Sequence, residues 1–317
     1  MNIKTSIIGL GKIGIKYDKK HKYKIGNYTS AVIENKNLEL VSVCDISNSK
    51  FKNLKKKIKN LFFKSLDRLL EKTKPELIIV CSSTKSQYAI LKKIFKYEPR
   101  YIVIEKPVCE NSLQLKKIMK IKNKSKIFVN YIKRYNPVYE YSSNLIKKKT
   151  YGKIKSLKVS FSGDNFNIGS HAIDIINFLI NEDIKKINKI KSFTSKNFDI
   201  NFFELNKKYE IEFKKLKIKN LFFLEIEIIF ERGKIKILEN EKKIVEYKLV
   251  KTFKDFKSSK NLFYEFIQTK VKNFELSKQT SLSNFLRRIL NSKKKSNLAN
   301  LKDAANVHNI YEKIFQK

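Results

Sequence analysis

An apolar strand that runs straight into three glycines at fixed spacing leaves few folds open. Ile3 to Leu10 reads as a short strand buried on both faces, and it ends in Gly9-Leu10-Gly11-Lys12-Ile13-Gly14. In such a turn the first glycine permits a tight change of direction and the second lets backbone approach a pyrophosphate. The third allows close packing of the helix expected to follow, whose unpaired N–H groups would face the anion. Gly9, Gly11, Lys12, Ile13 and Gly14 are therefore candidate dinucleotide-binding residues. The chain has only eight glycines, so three in one turn weigh heavily.

The buried-strand pattern recurs at Leu38 to Cys44, Glu76 to Cys81, Tyr101 to Ile104 and Ile127 to Asn130. Helical stretches at Phe51 to Ile58, Leu66 to Glu71 and Gln87 to Phe95 lie between them. Strands alternating with helices predict a parallel, doubly wound sheet. Further on, strands are expected at Ile154 to Ser162, Ile187 to Thr194, Asp199 to Phe213, Phe222 to Phe230 and Lys234 to Leu238, with Glu231-Arg232-Gly233-Lys234 as a hairpin turn. Helices are expected at His171 to Ile180, Asn261 to Val271, Leu282 to Leu290 and Leu301 to Phe315. Tyr17 to Tyr28 and Asn291 to Asn297 read as loops. The fold class is α/β: an N-terminal doubly wound Rossmann domain, residues 1–130, then a C-terminal α+β domain, residues 131–317, with a large, mainly antiparallel open sheet. At 317 residues and 42% hydrophobic content the chain can fill two cores.

The formal net charge of +40 comes overwhelmingly from lysine. Runs such as Lys55 to Lys57 and Lys147 to Lys149 are spread along the chain, which suits a solvated surface and not a nucleic-acid face. The charge should still steer anionic ligands. Cys44, Cys81 and Cys109 have no metal-binding spacing and suit a reducing compartment, so a cytoplasmic location is expected. Glycines interrupt the N-terminal apolar stretch where a secretory signal would continue, and no apolar run is long enough to enter a membrane as a span.

Three further constellations bear on chemistry. Asp45 follows the second strand, where a carboxylate can hold an adenosine ribose and favour NAD over NADP; Lys50 keeps NADP open, and a helix-capping aspartate is the alternative. Glu105-Lys106-Pro107 follows an apolar strand and sets an amine at its mouth, able to polarise a substrate hydroxyl. His171, one of three histidines, opens an apolar helix in Asn167-Ile168-Gly169-Ser170-His171-Ala172-Ile173-Asp174. Imidazole suits proton transfer near neutral pH, although a histidine beside an apolar helix also serves as a packed side chain.

In their order these segments, with Lys74-Pro75, Cys81-Ser82-Ser83-Thr84 and Arg134 in Asn130 to Tyr135, resemble the Gfo/Idh/MocA oxidoreductases. The resemblance implies a Rossmann domain followed by an open-faced sheet domain that often mediates oligomerisation, hence a homo-oligomer, dimer or tetramer. It implies Lys106 and His171 as catalytic residues and Ser82, Ser83, Glu105 and Lys106 beside the cofactor. Lys106, Arg134, Tyr135, Asn167, His171 and Asp174 are its substrate contacts. The Tyr17-Asp18 loop and the Asn-x-Gly-Ser-His pattern look like the branch tied to surface polysaccharide and lipopolysaccharide biosynthesis. The implied activity is NAD(P)-dependent hydride transfer to or from a sugar or nucleotide sugar; the alternative is a cofactor-binding sensor or scaffold. Two departures stand out: Asn167 where many catalytic members have Asp, and Ser82-Ser83 with Gln87 where Thr-Pro and a later His are common.

Overall fold

The computed structural model describes residues 2–16, 26–52, 54–182, 184–256, 259–274, 281–291 and 297–315. Six strands, β1 (Ile3–Ile8), β2 (Leu38–Cys44), β3 (Phe62–Phe63), β4 (Leu77–Val80), β5 (Tyr101–Glu105) and β6 (Lys126–Asn130), form one sheet in the order β3-β2-β1-β4-β5-β6. Every neighbouring pair is parallel. All four residues of β4 are wholly buried, as are Ile102, Val103 and Ile104 of β5, which is why these strands read as unbroken apolar runs. Strand order reverses between β1 and β4, and in open sheets of this type ligands bind outside the carboxyl ends of the strands at that reversal.

Two local expectations change. Lys12–Lys16 forms a single wide helical turn, and the next helix among the described residues is Tyr28–Ile33, where the Asn27 side chain accepts from the Ser30 N–H. Most of the loop expected over Tyr17 to Tyr28, Tyr17-Asp18 included, lies outside the described residues. The helix expected over Phe51 to Ile58 is broken into Asn48–Lys52 and Lys56–Lys59.

The second sheet contains β7 (Ile154–Ser162), β8 (Ile187–Thr194), β9 (Phe198–Leu205), β10 (Tyr209–Leu216), β11 (Phe223–Phe230), β12 (Gly233–Leu238), β13 (Lys243–Phe256) and β14 (Ser259–Asn273), in the order β14-β13-β12-β11-β7-β10-β9-β8. Only β7 and β10 pair in parallel. Along β11 the even-numbered residues are buried and the odd-numbered ones partly exposed, so one face is a core and the other is open. The run Asp199 to Phe213 is two strands, turned at Asn206 and Lys207 with φ of 57° and 54°. A primed hairpin turn without glycine hides from a glycine-based search.

Asn261 to Val271 is the larger correction: it is strand, not helix. Its aromatic and β-branched residues satisfy both periods, and the antiparallel ladder with β13 from Lys243 to Phe256 decides the outcome. Asn291 to Asn297 falls largely outside the described residues.

The chain divides into two compact units, Met1–Tyr135 with Ser277–His308, and Asn136–Leu276 with Asn309–Lys317. The expectation of one unbroken domain from residue 131 onward thus meets a returning segment. Leu282, Phe285, Leu286 and Ile289 of helix Ser281–Leu290 lie in the same buried cluster as Ile7, Tyr28 and Val103. The Val129 N–H donates to the Ala299 carbonyl at 2.8 Å, so the returning chain also occupies the β6 edge. No helix among the described residues is long and apolar enough to cross a membrane.

Candidate functional site

The three glycines of the first turn do different work. Gly9 has φ of +96°, and a Cβ there would lie 2.5 Å from the Ser82 nitrogen; a Cβ at Gly14 would lie 2.2 Å from the Gly9 carbonyl oxygen. Both positions exclude any other residue by backbone contact. At Gly11 a Cβ would meet nothing within 4 Å. This is the arrangement a pyrophosphate requires, with a crowded turn on either side and open backbone in the middle. Lys12 is exposed and Ile13 packs against the core cluster.

Asp45, just past β2, ties the turn down. Its Oδ2 accepts from the Leu10 N–H at 2.8 Å and its Oδ1 from the Ser47 N–H at 2.9 Å. Each oxygen keeps acceptor capacity for a ribose hydroxyl, so these bonds are compatible with the ribose reading of Asp45. The Cys81 thiol donates to the Gly9 carbonyl at 3.0 Å. Burial pushes that thiol well above its ordinary range, with Glu105 and Asp45 adding to the effect, so it remains a donor. Beyond Cys81, the Gln87 amide donates to the Ser82 carbonyl at 3.2 Å. Ser82 Oγ and Gln87 Oε1 are buried without a protein partner, while Ser83 is exposed at the head of helix Thr84–Ile94.

At the end of β5 the chain turns Glu105 inward. Its Oε1 accepts from the Tyr28 hydroxyl at 2.7 Å and from the Asn130 amide at 2.6 Å. Burial raises the Glu105 carboxyl above its ordinary value, while Asn130, Tyr28 and the Lys106 ammonium pull it back. Tyr28 is pushed well up by burial and by Glu105, which keeps its hydroxyl protonated. Lys106 is half-buried at the strand end, and its peptide to Pro107 is cis. Sequence reasoning passed over Tyr28 and Asn130. Asn130 could have been found, because Glu105 and Asn130 are register partners on adjacent strands.

Arg134 and Tyr135, expected at the substrate, are both buried, with partners in the returning segment. Arg134 is 4% exposed, and its guanidinium pairs with Asp303 at 3.1 Å. Tyr135 is buried against Phe285, ring centroids 5.0 Å apart, with the Arg288 guanidinium 5.4 Å from its ring centre. Both side chains lock the returning segment into the first unit.

In the second unit the histidine segment is a wide turn, Asn165–Gly169, followed by helix Ser170–Ile180, every residue of which is buried. Asp164 Oδ1 accepts from the Asn167 N–H at 2.7 Å, and the Asn167 carbonyl accepts from the Ser170 hydroxyl at 3.0 Å. Asn167 is exposed. His171, Asp174 and Asn177 recur every third residue and so share a helix face. Asp174 is 0% exposed, and Asn177 has both amide atoms buried without a protein partner. Asn177 was not anticipated, although the three-residue spacing of polar groups in an apolar helix is its signal. No group of three or more metal-ligating side chains occurs among the described residues.

Residues 3–131 match the model of the GFO_IDH_MocA family, described as an oxidoreductase family with an NAD-binding Rossmann fold. No curated protein matches the chain. Among solved structures, the super-repressor mutant of Gal80p from Saccharomyces cerevisiae superposes with a TM-score of 0.74 at 13% identity, over 100% of this chain and 96% of that one. An oxidoreductase from Agrobacterium radiobacter in complex with NAD+, L-tartaric acid and magnesium gives 0.72 at 11% identity, over 98% and 95%. UDP-N-acetylglucosamine 3-dehydrogenase GnnA from Acidithiobacillus ferrooxidans gives 0.70 at 13%, over 99% and 96%. At these identities the likeness speaks for a shared fold along the whole chain.

Proposed function

We propose that the chain, whose residues 3–131 match the model of the Gfo/Idh/MocA oxidoreductase family with an NAD-binding Rossmann fold, transfers hydride between NAD and a hydroxyl or keto carbon of a sugar or nucleotide sugar. The observation that carries the reading is the open backbone at Gly11 between two glycines that nothing else can replace. NAD, when bound, supplies the redox chemistry through its nicotinamide ring. Gly9 to Gly14 hold the pyrophosphate, Asp45 accepts from the ribose and disfavours a 2′-phosphate, and Ser82 and Ser83 border the same strand ends. Lys106 donates to the reacting oxygen and stabilises charge developing there, while His171 takes up the proton. Asn167 and Asp174 orient the sugar. Arg134 and Tyr135, being buried, act as supports.

Surface polysaccharide biosynthesis in the cytoplasm is the setting proposed for this chemistry. Homo-oligomer formation is assigned to the open face of the second sheet. There the ion pairs Lys158–Glu212 and Lys236–Glu227 lie beside a groove lined by Ile190, Phe202 and Ile229.

The test begins with thermal shifts in NAD+ and NADP+, since a ligand of the folded state raises apparent stability. UDP-N-acetylglucosamine and other sugar nucleotides are then assayed for NADH formation, with Lys106→Met as the blank. A larger shift with NAD+ and turnover lost in the variant are expected; equal turnover in the variant removes Lys106 from the mechanism. A second reading, a cofactor-binding sensor or scaffold, is favoured by Asn167 and by the shared fold with Gal80p. Turnover that appears only on Asn167→Asp would decide for it.

A further inference from the structure

The last two strands of the second sheet are its longest, β13 with 14 residues and β14 with 15, and β14 is the sheet edge. Strands of globular proteins usually run to about 5 or 6 residues. β12 pairs with β13 over Lys243 to Lys248, and the Leu249 N–H makes one further bond to the Arg232 carbonyl at 3.0 Å. From Val250 to Phe256 the ladder partner of β13 among the described residues is β14 alone, so the hairpin leaves the sheet as a two-stranded ribbon roughly 20 Å long. A ribbon of this kind is marginal in water and needs a further strand or a helix beside it. Neither of its faces is a closed core. Tyr264 and Val271 lie opposite Lys251 and Val245 on one face and Ile267 lies opposite Lys248 on the other, and they are 61%, 44% and 45% exposed. The side that lacks a strand is the outer edge of β14.

Long edges invite indiscriminate pairing, and this one carries the devices that limit it: a bulge beside Tyr247 and the charges of Lys270 and Lys272. Those charges also select a register. An antiparallel copy of the same strand that set Lys270 against itself or against Lys272 would oppose like charges. A copy that sets Glu265 opposite Lys270 does so twice, because a twofold axis repeats every contact, and it places Tyr264 opposite Val271 twice as well. Glu265 and Lys270 pair with Val250 and Glu246, both even-numbered residues of β13, so they share one face of the strand; Tyr264 and Val271 share the other. The Lys270 side chain is 54% exposed, and its bond to the Tyr141 hydroxyl at 2.9 Å leaves two ammonium donors. We infer that β14 is an interface between two copies of this chain, paired antiparallel, edge to edge, about a twofold axis that passes between Ile267 and Gln268. Each hairpin supplies the strand that the other lacks. The contact is separate from the open-face assignment made above and does not depend on hydride transfer.

Charge exchange tests the pairing, read by sedimentation velocity of the full-length protein over a range of concentrations. Glu265→Lys should weaken self-association about tenfold, since two opposite-charge pairs become two like-charge pairs. Lys270→Glu should do the same. The double variant, Glu265→Lys with Lys270→Glu, should return to within about threefold of the parent, because the pairs are restored with their signs exchanged. Gln268→Cys, beside the axis, serves if these variants fold poorly. The native cysteines are buried, so mild oxidation should link Gln268→Cys into a dimer and leave Lys72→Cys, exposed on helix Leu66–Thr73, unlinked. Glu212→Lys tests the open-face assignment separately and should leave the link at position 268 intact. A parent that is monomeric throughout, single variants that associate like the parent, a double variant no better than the singles, or Gln268→Cys that forms no link overturns the proposal.

Discussion

The glycine turn of the first unit and the histidine helix of the second are both tightly packed, but they are specified in opposite ways. At the turn, the proposed cofactor binding depends on side chains that are missing, and two of three glycines are dictated by backbone atoms closer than 3 Å. At the helix, the proposed function depends on polar side chains set among apolar ones, where His171, Asp174 and Asn177 share a face. The difference teaches that the first site is guarded by the fold and the second by chemistry. Substitution at the turn should cost stability or cofactor affinity, whereas substitution at the helix should cost turnover.

The largest effect is expected from His171→Gln, with turnover falling about a thousandfold, within the range for loss of a general acid–base group. NAD+ affinity, measured by titration, should change less than about twofold, since no residue of helix Ser170–Ile180 is among the proposed cofactor contacts. A matching loss of NAD+ affinity would break the division of labour. Gly9→Ala should remove about 3 kcal/mol from the first unit, through positive φ and contact with Ser82, measured as a lower urea midpoint. Asp303→Ala should cost about 2–3 kcal/mol by leaving the Arg134 guanidinium buried without its carboxylate. A change confined to sugar affinity would instead return Arg134 to the substrate site.

Gly11→Ala sharpens the contrast within one turn. Stability should hold within about 0.5 kcal/mol, since the new methyl meets no atom. NAD+ affinity should fall about tenfold, because that methyl stands where backbone must approach the pyrophosphate. The smallest effect is one of pH. Burial raises the Glu105 carboxyl above 4.5, so the folded protein keeps a proton there after the unfolded chain has released its own. That contribution to stability is complete below the ordinary value and is lost as pH rises through the raised one. Over that window, urea midpoints of the parent should decline relative to those of Glu105→Gln; parallel profiles would mean that Glu105 is charged throughout.

Legibility in the sequence follows the same contrast. Backbone crowding can be met only by glycine, so Gly9 and Gly14 announce the turn without any knowledge of structure. Strands buried on both faces are written as apolar runs, which is why all but the two-residue β3 of the first sheet were expected. The β13–β14 pairing was illegible because the partner of Asn261 to Val271 is itself set by tertiary contact. The Arg134 pairing was illegible for a related reason: its partner Asp303 lies 169 residues away, and neither residue carries a local sign of it. Tyr28 was missed because a single aromatic after a loop has no period to betray it.

The segment Ser277–His308 carries a consequence for how this protein comes into being. A ribosome releases β1 to β6 in order, but the helix that completes their core and the segment at Ala299 that bonds the β6 edge arrive only after the second sheet. The nascent first sheet therefore waits, with Val129 and the apolar surface destined for Phe285 uncovered, while the entire second sheet is made. Such exposure is what recruits chaperones and invites misassembly in multidomain chains. The core of the first unit, although most of its residues precede the second sheet, is completed only after that sheet has been made.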